Sequence, residues 1–107
     1  MKAFKTKIIS VTNQKGGVGK TTSAVNIAAF LAITETPTLL IDMDPQANAT
    51  TAFGIDLKSN SKSIYDIIIN NSKIDDCTYD TDIEFLKVIP SCSKLAGAEI
   101  ELVSMFT

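Results

Sequence analysis

Ile8-Ile9-Ser10-Val11-Thr12-Asn13-Gln14-Lys15-Gly16-Gly17-Val18-Gly19-Lys20-Thr21-Thr22 is the stretch on which the fold turns. Its first part is a short β-branched run, which favours a strand, and a glycine cluster then breaks the chain before a helical pattern begins. The pattern predicts a strand over residues 7–13, buried on both faces. It predicts a helix over residues 21–33, with Val25, Ala28, Ala29 and Ala32 as its apolar positions and Ile27 and Leu31 beside them. After Thr34-Glu35-Thr36-Pro37, residues 38–42 form a second apolar run suited to the interior of a parallel sheet. Strand, glycine turn, helix and strand in that order make a β-α-β unit. The fold class is therefore α/β, a mostly parallel sheet flanked by helices.

Working outward, residues 44–60 are polar and read as a long loop, of a length that suits function better than connection. Ser63 and Asp66 have the spacing of a capping box, opening a short helix through Tyr65, Ile67, Ile68 and Ile69 that Asn70 and Asn71 end. Residues 85–89 read as a third strand closed by Pro90. Residues 95–103 begin another helix, with Ala96, Ile100 and Val103 at helical spacing.

The whole chain has 107 residues, enough for one domain or part of one, and its 45% apolar and 21% charged content is that of a globular protein. A formal charge of −2 gives no electrostatic footprint for phosphate-backbone binding. Cys77 and Cys92 stand apart in a chain without histidine, which suits free thiols in a reducing compartment better than a metal site. The first residues lack the apolar core of a signal peptide, and no run approaches the roughly 18 apolar residues that span a bilayer. The expected location is the cytoplasm.

A loop that cradles phosphate needs small residues, so that consecutive backbone N–H groups turn inward around the anion, and a helix N-terminus behind them. Lys15 to Thr22 supplies both. The general pattern G-x-x-x-x-G-K-[ST] would require glycine at position 14, where this chain has Gln14. Gly16, Gly17 and the additional Lys15 compensate. The resulting form K-G-G-x-G-K-[ST] resembles the deviant Walker A of the ParA/MinD family of P-loop ATPases. By position, Lys20 should meet the β- and γ-phosphates, Thr21 should place its hydroxyl on Mg²⁺, and the N–H groups of Gly17, Val18, Gly19, Lys20, Thr21 and Thr22 should hold the phosphates of ATP. The resemblance implies that Lys15, ahead of Gly16, reaches across a homodimer to the partner's nucleotide.

Two carboxylates flank the end of the second strand, in Leu39-Leu40-Ile41-Asp42-Met43-Asp44-Pro45-Gln46-Ala47-Asn48-Ala49-Thr50, and ligands of open α/β sheets sit at that end. Each also has a plainer role available: Asp42 as a hydrogen-bonding partner of the loop, Asp44 as a turn residue before Pro45. The stretch D-x-D-P-Q-x-N-A-T resembles the ParA/Soj branch almost position for position. That likeness assigns Asp44 to the attacking water and Asp42 to the magnesium shell through water. Ser63-Ile64-Tyr65-Asp66 and Ile89-Pro90-Ser91, followed by Leu95-Ala96-Gly97-Ala98-Glu99-Ile100-Glu101-Leu102, are similar to the same branch. Glu35-Thr36-Pro37 departs from it, where relatives usually carry a glycine-containing turn with a basic residue.

The family implies an ATP-dependent dimerisation switch in plasmid or chromosome partition, with a centromere-binding ParB-type protein and non-specific DNA as partners, and nucleoid association. Its members run to roughly twice this length or more. In the family sheet a later strand separates the first strand from the one ending at Asp42, so both should expose apolar surface here, and the chain by itself is expected to be a fragment without measurable ATPase. The alternatives are a MinD-like or iron-protein-like member of the same superfamily, or a non-catalytic nucleotide-binding remnant. Neither Cys77 nor Cys92 stands where a cluster ligand would be assigned.

Overall fold

The structure, a computed structural model, describes residues 5–11 and 20–106, with Lys20 and Thr21 described by backbone alone. α1 (Lys20–Ile33) presents Ala28 and Ala32 to the sheet, and residues this small let the helix axis lie close against Leu86 and Leu40. Its end is fixed by backbone hydrogen bonds: Glu35 N–H to the Ala32 carbonyl at 2.9 Å and Thr36 N–H to the Leu31 carbonyl at 2.9 Å. That is a Schellman ending, and it forces Glu35 into the left-handed region at φ 66°.

β1 (Thr38–Ile41) pairs in parallel with β3 (Leu86–Ile89), Thr38 opposite Leu86 and Ile41 opposite Ile89. β2 (Tyr79–Asp80) runs antiparallel to β3 on its other side, so the sheet order is β1-β3-β2 and the sheet is mixed. The third strand thus lies where the apolar run predicts it, one residue shorter. β2 has only two residues and no apolar run, which leaves no period for a sequence pattern to reveal.

Because side chains alternate across a strand, Leu86 and Ile89 serve opposite faces. Leu86 packs with Ala28 and Ala32 of α1, along with Leu40, Phe53 and Ile83. Ile89 packs with Ile64, Cys77, Leu95 and Ala98, beneath α3 (Ile64–Asn70), the 3-10 turn Ile74–Cys77 and α4 (Ala98–Met105). The capping box is present as predicted: the Ser63 hydroxyl accepts from Tyr65 N–H at 3.2 Å, and the Asp66 carboxylate accepts from Ser63 N–H at 2.8 Å. Asn71 closes α3 in the left-handed conformation.

Three expectations need correction. Residues 7–11, the described part of the predicted first strand, form no strand, and Ile8 is 92% exposed rather than buried. A strand is held by its neighbours' backbone groups, and no described strand pairs with this segment. Among the described residues β1 is an edge strand, and on the Ile89 face Leu39 and Ile41 are 46% and 47% exposed. Secondly, the long polar loop of residues 44–60 holds a helical turn, α2 (Asn48–Ala52), which packs against α1 and has Ala49 and Thr50 buried. Thirdly, the last helix is preceded by the 3-10 turn Ser93–Gly97 and runs on to Met105, and Ala96, Ile100 and Val103 face outward while Leu95 and Ala98 are buried.

Candidate functional site

Asp42 follows directly on β1 and continues its ladder, donating its N–H to the Ile89 carbonyl at 3.0 Å. The side chain is 5% exposed. A carboxylate can remain in such a place only if its oxygens are hydrogen-bonded. Oδ1 accepts from the Asp44 N–H at 3.0 Å, and Oδ2 accepts from both the N–H and the hydroxyl of Thr50, at 2.9 and 2.6 Å. The Thr50 hydroxyl in turn accepts from the Ser91 N–H at 3.0 Å, just past the end of β3. One buried chain of hydrogen bonds therefore joins the C-terminal ends of two parallel strands to α2.

Asp44 is half-buried and engaged within its own loop. Its Oδ1 accepts from Gln46 N–H at 3.0 Å, and its Oδ2 accepts from the Asn48 amide at 3.3 Å. This is the Asx-type turn that aspartate forms readily. Ala47 then takes a left-handed conformation, φ 56°, with its N–H on the Asp44 carbonyl at 2.8 Å. A non-glycine residue held there carries strain, which the surrounding bonds must outweigh.

Asp42 and Asp44 thus both stand where β1 meets its loop, joined by the Asp44 N–H to Asp42 Oδ1 bond, while their carboxylates are held by different partners. Lys15, Gly16, Gly17, Val18 and Gly19 lie outside the described residues, as do the side chains of Lys20 and Thr21. Thr22 is exposed in the first turn of α1. Among the described residues no cation pairs with either carboxylate; the two ion pairs, Lys58 with Asp56 and Lys87 with Asp80, are both at the surface. No described group of three or more acidic, histidine or cysteine side chains could hold a metal unaided.

Sequence pattern alone assigns Thr50 and Ser91 no role of their own. The signal was present, since Thr50 ends the quoted D-x-D-P-Q-x-N-A-T stretch and Ser91 follows Pro90, but neither residue type announces a buried contact. Ser91 Oγ is itself buried and has no hydrogen-bond partner among the described residues. A shallow groove at the other end of the strands, lined by Pro37, Thr38, Ile83, Phe85 and Lys87, lies away from both carboxylates. Cys77 is fully buried, and burial pushes its thiol pKa up. Cys92 is half-buried, with the Ser63 hydroxyl 3.2 Å from its Sγ. No helix among the described residues is long and apolar enough to cross a membrane.

The sequence pattern of the family described as AAA domain matches residues 6–107. The chain is 47% identical over 98 residues to the chromosome partitioning protein ParA of Myxococcus xanthus, covering 92% of this chain and 35% of that protein. To the sporulation initiation inhibitor protein Soj of Bacillus subtilis it is 50% identical over 97 residues, 91% of this chain and 38% of that one. Its backbone is similar to that of cobyrinic acid a,c-diamide synthase from Mycobacterium smegmatis, solved with bound ADP and magnesium, at a TM-score of 0.79 and 34% identity over 86% of this chain and 37% of that one. The chain spans less than two fifths of the length of each of these proteins.

Proposed function

This chain belongs to the AAA domain family, and from that premise we propose that it carries the Mg·ATP site of a ParA/Soj-type partition ATPase. The observation that carries the reading is where α1 lies. Its described residues run from Lys20, directly after the glycine-rich sequence that ends at Gly19. The first N–H groups of any α-helix lack partners within it, and with the helix dipole they favour an anion at that end. In this reading the N–H groups from Gly17 to Thr22 hold the phosphates, Lys20 meets the β- and γ-phosphates, and the Thr21 hydroxyl is a magnesium ligand.

The carboxylates fit magnesium. Among the described residues three donors fill the roughly four acceptor positions of the Asp42 carboxylate, which leaves room on Oδ1 for one more, such as a metal-bound water. Magnesium keeps several waters and takes few protein ligands, so a carboxylate that reaches it through water suits it. When bound it neutralises charge on the phosphate oxygens. Asp44 orients the attacking water. Lys15 completes the nucleotide site of a second subunit, so that ATP drives homodimerisation as the switch for partition, with ParB-type protein and non-specific DNA as the further partners. The likeness to ParA and Soj over more than nine tenths of the chain supports this branch.

Calorimetric titration with ATP and magnesium tests the site. Lys20→Ala is expected to abolish binding that the unaltered protein shows, because the polyphosphate loses its matching charge. Unchanged affinity in that variant would overturn the assignment.

A further inference from the structure

We infer that Thr50 is a positioning residue for Asp42, setting which carboxylate oxygen is left for a magnesium-bound water; this rests on the reading of Asp42 given above. Thr50 is 3% exposed, and its side chain has a single proton to donate. Since its hydroxyl oxygen accepts from the Ser91 N–H at 3.0 Å, that proton is directed to Asp42 Oδ2 at 2.6 Å. The Thr50 N–H adds a second donor to the same oxygen at 2.9 Å. Oδ2 is thereby saturated by one residue. Among the described residues Oδ1 holds a single donor, the Asp44 N–H.

The terminal torsion of an aspartate is soft, so a carboxylate at a strand end is oriented by its partners rather than by its own rotamer. Here the orienting partner is anchored twice, through α2 and through the backbone at the end of β3. A shift of α2 therefore turns the Asp42 carboxylate with it. Partners of this kind, one step removed from a metal, commonly control affinity for it.

The test compares Thr50→Val and Thr50→Ser with the unaltered full chain, measuring nucleotide affinity in magnesium and in chelator. Valine keeps the volume and the backbone N–H but removes the hydroxyl, whereas serine keeps it. For Thr50→Val, the gain in ATP affinity produced by magnesium should fall roughly tenfold or more, with affinity in chelator unchanged, and Thr50→Ser should restore the gain. A merely structural defect would lower both affinities together, and that outcome, or an undiminished magnesium gain, would overturn the inference. If Thr50→Val does not fold, as judged by circular dichroism, Thr50→Cys replaces it with the same expected direction. Absence of any magnesium gain in the unaltered chain would instead sink the functional reading beneath the inference.

Discussion

The Tyr65 hydroxyl lies 2.7 Å from Glu101 Oε2 and 2.9 Å from Oε1, tying α3 to α4. Its single proton is shared between the two oxygens of one carboxylate. That hydrogen bond, more than the accompanying desolvation, keeps the proton on the phenol and raises its pKa above the usual 10.0. Lys94 sits over the same ring, 5.6 Å from its centroid.

A pH dependence follows from the sign of that shift. The neutral phenol is favoured in the folded chain, so its contribution is complete below the unfolded value near 10 and disappears as pH rises through the higher folded value. Tyr65→Phe should therefore unfold at lower urea than the unaltered chain at about pH 8, and the gap should narrow above about pH 10. A gap that stays constant across that range would show the contact to be without energetic consequence.

Glu35 ends α1 in the left-handed region, φ 66°, at the position where helices most often place glycine. An L-residue with a side chain is disfavoured there by about 1–2 kcal/mol. Glycine removes that cost, although its freer unfolded chain returns about 0.4–1 kcal/mol. Glu35→Gly is accordingly expected to stabilise the chain by roughly 0.5–1 kcal/mol, read as a higher denaturation midpoint with an unchanged slope. A lower midpoint would mean that the glutamate side chain contributes something its exposed place does not suggest.

Asp44 is held by Gln46 and Asn48 within its own turn, so its removal should disturb phosphate binding little. In a protein that turns ATP over through this site, Asp44→Ala should leave ATP affinity nearly unchanged while hydrolysis falls roughly a hundredfold, as expected of a group acting mainly in the transition state. Turnover within about twofold of the unaltered protein would remove Asp44 from the proposed chemistry.

Lys15 precedes the glycines, whereas Lys20 follows them and lies in α1, and the two lysines should separate by experiment. Lys15→Ala is expected to weaken ATP-driven dimerisation and turnover more than ATP binding by a monomer. Mixing it with Asp44→Ala subunits, which retain Lys15, should partly restore hydrolysis, since each site borrows its lysine from the other chain. No rescue in heterodimers shown to form would argue that Lys15 acts within its own subunit.

The sequence by itself determined what rests on near neighbours. The Ser63–Asp66 box, the extent of α1, the span of β1 and the place of the two carboxylates at its end all follow from spacing of a few residues, because helix caps and apolar periods are local. The lysine and glycine spacing of the loop from Lys15 to Thr22 is likewise written in the chain, as is its likeness to ParA and Soj. Only tertiary structure decided that β3 lies directly beside β1, that β2 runs against it, and that residues 7–11 form no strand despite their β-branched composition. It also decided that Asp42 finds Thr50 eight residues on and that Thr50 finds Ser91 forty-one residues on. Pairing of strands and burial of a carboxylate depend on which distant backbone groups arrive beside them, and a residue's own type leaves that open until the chain has folded.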